Sequence, residues 1–258
     1  MVGAGAVGAA VSRPARLVFS DVDETLIAGK SMFDFLAYYF RATRGTPGTR
    51  HAADVRRELS RRTSAGAPRE AMNRLYYRAW AGEPAARVAE LAKAWYAERS
   101  GAPGFYLAST RRALELHRDA GHTVILVSGS FPAVLAPIAA EVGAARLLCS
   151  VPGIHDGVLT GQLVGDPCIG EAKRAAVRDI LRSRPAVDPA QCYAYGDHVS
   201  DLPMLAEVGN PVIVGGSAQL RARLPRARVL HPQAVDDAPA LLRPTRERRK
   251  QESHRAGA

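Results

Sequence analysis

The chain has 258 residues, 47% of them hydrophobic, and carries a formal net charge of +10 with three cysteines. That length and apolar content suit one sizeable α/β domain with a small insert and exclude a disordered polymer. Three cysteines without metal-ligand or redox spacing exclude a disulfide framework and suit reduced thiols, so the expected location is the cytoplasm. No apolar run approaches the ~20 residues of a membrane-spanning helix.

Residues 1–13 are small and apolar without a charged start, and read as a disordered leader. The first strand contains Leu17-Val18-Phe19 and runs into Asp21-Val22-Asp23-Glu24-Thr25. Two aspartates spaced by one residue at a strand end offer a nucleophile, a proton shuttle and a metal ligand. The same pattern also occurs in calcium-binding turns and in plain solvated loops.

From 30 to 103 the pattern changes to four helices, expected over 32–43, 52–63, 69–80 and 85–99, with Gly/Pro breaks at 45–48, 66–68 and 82–84. Most aromatics fall here, and their helical spacing reads as packing rather than substrate contact. The junctions near Gly29 and at 101–104 read as hinges of an insert that closes over a site. Residues 30–103 hold 14 Lys/Arg against 7 Asp/Glu, and 243–258 hold 6 against 2, so the rest of the chain is near neutral. Only four of the 35 cations are lysine, a compositional bias, yet a basic insert would still steer anionic substrates.

Beyond the insert, His122-Thr123-Val124-Ile125-Leu126-Val127 reads as a buried parallel strand that delivers Ser128 and Gly129 to its carboxyl end. Pro132 then opens a helix, so Ser128 is either an anion-binding hydroxyl or an ordinary helix cap. Cys168-Ile169-Gly170-Glu171-Ala172-Lys173 leads into an amphipathic helix. A cation so near a helix start is disfavoured by the dipole; it is either solvated or balances clustered carboxylates and a phosphate. A short strand then ends in Gly196-Asp197, with Asp201 four residues on. These two aspartates suit Mg²⁺, or else start a turn and cap a helix. Arg246-Glu247-Arg248-Arg249-Lys250 belongs to a solvated, disordered tail over 243–258. With no recognition helix and no aromatic-basic interleaving, nucleic acid is not an expected partner, and the sequence specifies no oligomeric state.

In this order, Asp-x-Asp-x-Thr, strand-Ser-Gly, Lys and Gly-Asp-x-x-x-Asp resemble the four motifs of the haloacid dehalogenase superfamily across residues 16–216. The long insert resembles the helical cap of its phosphoserine-phosphatase-like subclass. The resemblance implies a doubly wound, mostly parallel α/β core over 14–29 and 104–242 with a helical cap over 30–103. It also implies a Mg²⁺-dependent phosphatase that acts on a small phosphorylated metabolite. Asp21 would attack phosphorus, Asp23 would act as acid and then base, and Thr25 would hold the turn and orient Asp23. Ser128, the Gly129 N–H and Lys173 would bind the phosphate oxygens. Asp21, the Asp23 carbonyl and Asp197 would hold Mg²⁺, with Asp201 supporting that shell or orienting Lys173. Transfer to an acceptor other than water, and a non-catalytic phosphate-ligand-binding role on the same scaffold, are the alternatives.

Several positions depart from that subclass. Lys30 stands where phosphoserine phosphatases place a Glu that receives the substrate ammonium, which argues against phosphoserine by like-charge repulsion. Lys30, Ser31, Met32 and Phe33 are the specificity candidates, and suit a substrate with extra negative charge or an uncharged polar body. Glu24 takes a place often filled by Gly, where it adds negative charge beside the site or points to solvent. Ser200 replaces an Asn. His198 is expected to satisfy a loop carbonyl rather than touch the metal.

Overall fold

The computed structural model describes residues 16–241; the expected leader and basic tail lie outside them. Six short, largely apolar runs form one parallel sheet: β1 (Leu17–Ser20), β2 (Thr123–Ser128), β3 (Arg146–Cys149), β6 (Tyr193–Gly196), β7 (Asn210–Val214) and β8 (Arg228–Leu230). Their spatial order is β3-β2-β1-β6-β7-β8, so the chain winds outward in both directions from β1. The expected doubly wound, parallel α/β sheet is therefore the one observed.

Alternation along each strand builds the layers, since successive side chains leave opposite faces. Val18, Val124, Leu126 and Val212 face one way, toward α4 (Ala108–Asp119) and α5 (Pro132–Glu141). Leu17, Phe19, Ile125, Val127 and Ile213 face the other, toward α6 (Glu171–Arg182), α7 (Leu202–Leu205) and α8 (Ala218–Arg223). A last short helix, α9 (Ala238–Leu241), packs back against α4. Because β1 is covered on both faces, its carboxyl end is held in a fixed place. That end carries Asp21.

Between β1 and α4 lie α1 (Ser31–Ser64), α2 (Arg69–Arg78) and α3 (Ala85–Ser100). The first departs from expectation. The helices predicted at 32–43 and 52–63 join into one long element that bends only at Gly45, where φ is 59° and ψ −137°. Pro47 falls in the first turn after that bend, where its missing N–H has no helical partner to lose. Phe35 stacks on Trp80 at 5.5 Å, and Trp80 lies 5.6 Å from Phe131, which precedes α5. The insert thus shares its aromatic core with one face of the sheet. Buried Glu83 accepts from the Tyr39 hydroxyl at 2.6 Å and pairs with Arg44.

A two-stranded antiparallel hairpin, β4 (Pro152–His155) and β5 (Val158–Leu163), was not anticipated. It turns at Asp156-Gly157 and grips the α2–α3 junction through Gly82 N–H to Leu159 O, Leu159 N–H to Glu83 O and Ala85 N–H to Gly157 O, each at 2.9 Å. Among the described residues, no helix is long and apolar enough to cross a membrane.

Candidate active site

The motif residues gather at the carboxyl ends of β1, β2 and β6. After β1 the chain turns at once, and the amides of Leu26 and Ile27 both return to the Val22 carbonyl. Glu24 sits in this turn with φ at 63°, a left-handed conformation that costs a non-glycine residue about 1–2 kcal/mol. That explains why glycine suits the position. Rather than pointing freely to solvent, the Glu24 carboxylate lies 3.2 Å from the Lys30 ammonium.

Asp21 is 6% exposed. One of its carboxylate oxygens accepts from Lys173 Nζ at 2.7 Å, and the other from Thr25 Oγ1 at 3.3 Å. Thr25 makes its shorter bond, 2.8 Å, to Asp197. The expected link from Thr25 to Asp23 is replaced by this one, because Thr25 faces inward between the two strand ends. Asp23 is instead held by the Ser31 amide at the start of α1, at 2.9 Å. An N-terminal amide turned toward a carboxylate is the favourable sense of the helix dipole.

Ser128 ends β2 and accepts the Ser130 amide at 3.1 Å, which leaves its own proton for another acceptor. The Gly129 carbonyl accepts from Asn73 Nδ2 and from the Tyr77 hydroxyl, both at 3.0 Å. Two side chains of α2 therefore fix the Ser128-Gly129 loop from the insert side. A Cβ at Gly129 would meet Ile169 Cγ1 at 3.0 Å and Asn73 Nδ2 at 3.3 Å, so the loop is closely covered.

Lys173 is 3% exposed and resolves the dipole objection raised by its position. Its ammonium bridges Asp21 at 2.7 Å and Asp201 at 2.6 Å. Gly170, with φ at 56°, turns the chain so that α6 begins facing the site. The second Asp201 oxygen accepts the His198 amide at 3.1 Å. His198 accepts the Ser200 amide on Nδ1 at 3.0 Å, not the loop-carbonyl contact expected for it.

Carboxylate oxygens of Asp21, Asp197 and Asp201 lie within 4.8 Å of one another. Burial, with Asp201 and Asp197 nearby, holds Asp21 well above the usual carboxylate range despite Lys173. Burial and the charges of Asp201 and Glu24 push Asp197 up to about 6, against the Thr25 hydrogen bond. Burial also raises Asp23. Lys173 is opposed by burial, yet Asp201 and Asp21 outweigh it and keep the ammonium protonated. Three carboxylates around one ammonium leave excess negative charge. That donor set fits a hard divalent cation held by one or two carboxylates plus waters. Asp201 accepts on both oxygens, at 2.6 and 3.1 Å, whereas one Asp21 oxygen has only the 3.3 Å contact from Thr25, so Asp21 and Asp197 are the carboxylates more readily shared with a cation. Asp23 does not belong to the carboxylate group, since its side chain turns to Ser31.

A cavity of about 390 Å³ opens over these groups. Asp21, Asp23, Ser128, Gly129, Lys173, Asp197, Asp201, Lys30, Met32 and Phe33 all line it. Thr25 and Ser31 stand behind the lining as hydrogen-bond partners. The sequence reading missed Arg69, Met72, Asn73 and Tyr76, which also line the cavity. Their i, i+3, i+4, i+7 spacing is one face of α2, and a polar Asn within that stripe was the available signal.

The haloacid dehalogenase-like hydrolase model matches residues 18–206 of this chain. The phosphoserine phosphatase SerB1 of Mycobacterium tuberculosis is 37% identical over 113 residues, which cover 44% of this chain and 36% of that protein. The chain spans less than half the length of the curated relatives it matches. Among solved structures, a protein of unknown function from Bordetella pertussis superposes with a TM-score of 0.73 at 23% identity, over 85% of this chain and all of that one. A substrate-bound phosphoserine phosphatase superposes at 0.67 with 16% identity, over 89% of this chain and 99% of that one. These structural likenesses establish the common fold.

Proposed function

The chain belongs to the haloacid dehalogenase-like hydrolase family, and we propose that it is a Mg²⁺-dependent phosphatase of small phosphate monoesters that works through an aspartyl-phosphate. The observation that carries this reading is the buried Lys173 bridge between Asp21 and Asp201, set in one cavity with Asp23, Ser128 and Asp197. Helices 30–103 act as the cap over that cavity.

Hydrolysis of such esters requires the enzyme to supply on the order of 20 kcal/mol, which calls for several groups acting together. An Asp21 oxygen attacks phosphorus as the ester oxygen leaves, and Asp23 gives that oxygen its proton. Asp23 then takes a proton from the water that attacks the aspartyl-phosphate, releasing phosphate and restoring Asp21. Ser128, the Gly129 N–H and Lys173 bind the non-bridging oxygens, where charge must be neutralised during transfer. Asp21, the Asp23 carbonyl and Asp197 would hold Mg²⁺, which when bound supplies charge neutralisation and a template for the phosphate. Asp201 positions Lys173.

Lys30 disfavours an ammonium-bearing substrate such as phosphoserine. A cytoplasmic setting belongs to the same reading, supported by the free thiols of Cys149, Cys168 and Cys192. The test is phosphate release from a metabolite panel with and without Mg²⁺, comparing wild type with Asp21→Asn. Mg²⁺-dependent release should vanish in the variant while phosphate binding weakens but stays measurable. Retention of more than a few per cent of activity would remove Asp21 as nucleophile.

A further inference from the structure

The cavity differs in chemistry from floor to mouth. Its floor holds the carboxylates, Lys173 and Ser128. Its middle is walled by Met32, Phe33, Met72 and Tyr76, with Phe33 edge-on to Tyr76 at 6.0 Å and 77°. The space exceeds what a phosphate group fills, so the alcohol portion of a substrate must lie along this wall. Flat rings and thioethers there favour a planar apolar body over a short polar one.

Two exposed cations line the same cavity. Lys30 is only partly neutralised by Glu24, since both side chains are nearly half exposed, at 42% and 47%. Arg69, the first residue of α2, forms no ion pair among the described residues. Lys30 and Arg69 thus share one cavity with that apolar wall. Arg56 adds further positive charge outside, 5.9 Å from the Phe33 ring centroid.

Building on the phosphatase reading, we propose that the substrate's alcohol portion is a planar apolar body bearing a carboxylate, which Arg69 and Lys30 receive opposite the phosphate. Recognition then spans both parts of the fold, because Lys30 follows the β1 turn and Arg69 belongs to α2.

Calorimetric titration of the Mg²⁺-loaded protein with three phosphonates tests this: benzylphosphonate, its 4-carboxy derivative and its 4-aminomethyl derivative. The carboxylate should tighten binding about tenfold over the parent, and the aminomethyl group should weaken it. Arg69→Gln or Lys30→Gln should each shrink the tenfold gain to about threefold, and the double variant should abolish it. The gain is a ratio between two ligands on one protein, so a generally weakened variant does not imitate its loss. Equal affinity for the carboxy and parent phosphonates, a gain that survives the double variant, or no binding of either would overturn the proposal. Release of phosphate from the matching benzyl phosphates separates the two readings. Selective binding without release would leave the subsite standing and remove the phosphatase. Release without a carboxylate preference would do the reverse.

Discussion

Replacing Lys173 with methionine keeps most of the side-chain volume and removes only the charge that joins Asp21 to Asp201. The ammonium is 3% exposed and makes bonds of 2.7 and 2.6 Å, so solvent cannot take its place. Breaking a buried pair by deleting one partner typically costs about 3–5 kcal/mol, because the remaining charge is left buried without compensation. Here two carboxylates are stranded rather than one, and Asp197 lies beside them, so the loss should fall toward the upper end. Urea unfolding at neutral pH without divalent cations would measure it. Added Mg²⁺ should then stabilise Lys173→Met more than wild type, because a cation binding among these carboxylates no longer meets the lysine's repulsion. If its affinity rises tenfold, the stability gap at saturating Mg²⁺ narrows by about 1.4 kcal/mol. Phosphate release should fall below one-thousandth of wild type, since charge on the transferring group would lose a fixed donor. A stability loss under about 1 kcal/mol, with an unchanged response to Mg²⁺, would refute the claim that Lys173 is the principal counterion of this cluster.

Asn73→Ala removes one of two donors to the Gly129 carbonyl and should cost about 1–2 kcal/mol of stability, with a drop of tenfold or more in kcat that shows how far the phosphate loop has moved; steady-state kinetics unchanged from wild type would mean that α2 does not position the loop. Gly170→Ala places a Cβ at φ 56° and 3.0 Å from Glu70 Oε1, so thermal unfolding should register a loss of about 1–2 kcal/mol. His117 is buried against the Tyr195 hydroxyl at 2.8 Å, and burial lowers its pKa to about 3. A depressed histidine contributes stability above its unfolded pKa of ~6.5 and loses it progressively as pH falls toward 3, so folding should weaken by about 2 kcal/mol between pH 7.5 and 5 from this residue. Comparing the pH dependence of stability in wild type and His117→Gln isolates that slope, and equal slopes would contradict it.

The strands that carry the chemistry were legible because burial on both faces makes them continuous apolar runs, each punctuated by polar residues at the carboxyl end. Leu17-Val18-Phe19 and Val124-Ile125-Leu126-Val127 announce themselves for that reason, and so place Asp21 and Ser128. Gly45-Thr46-Pro47-Gly48 misled the reading of α1 because a turn signal and a bent helix share residues; only tertiary packing decides between them. The hairpin at Asp156-Gly157 was overlooked although Asp-Gly is a strong turn signal, since Pro152 and Gly153 weaken the strand before it. Thr25 was expected from the family resemblance to orient Asp23, whereas its hydroxyl bonds to Asp197, which lies 172 residues away and reaches it only through β6 beside β1. Asn73 and Arg69 belong to the same class. Their importance depends on which face of α2 meets the core, and a single chain does not state that.

Helix α2 unites two tasks that the sequence presents separately. One face of it holds the Gly129 carbonyl through Asn73 and lines the cavity with Met72, Tyr76 and Arg69. The helix that carries Arg69 into the cavity lining is therefore also bonded to the loop that presents Ser128. The insert is tied to the rest of the fold beyond the junctions at Gly29 and 101–104, because Gly82, Glu83 and Ala85 are bonded to the hairpin at Leu159 and Gly157. Separating them would break three backbone hydrogen bonds, each worth about 0.5–1.5 kcal/mol net. The junction strands are also bonded to each other, Ala28 N–H to Phe105 O and Leu107 N–H to Leu26 O, both at 2.9 Å. Separating α2 from the core would part Asn73 and Tyr77 from the Gly129 carbonyl and Trp80 from Phe131 as well. The same contacts of α2 thus hold the Ser128-Gly129 loop and the cavity wall in place together.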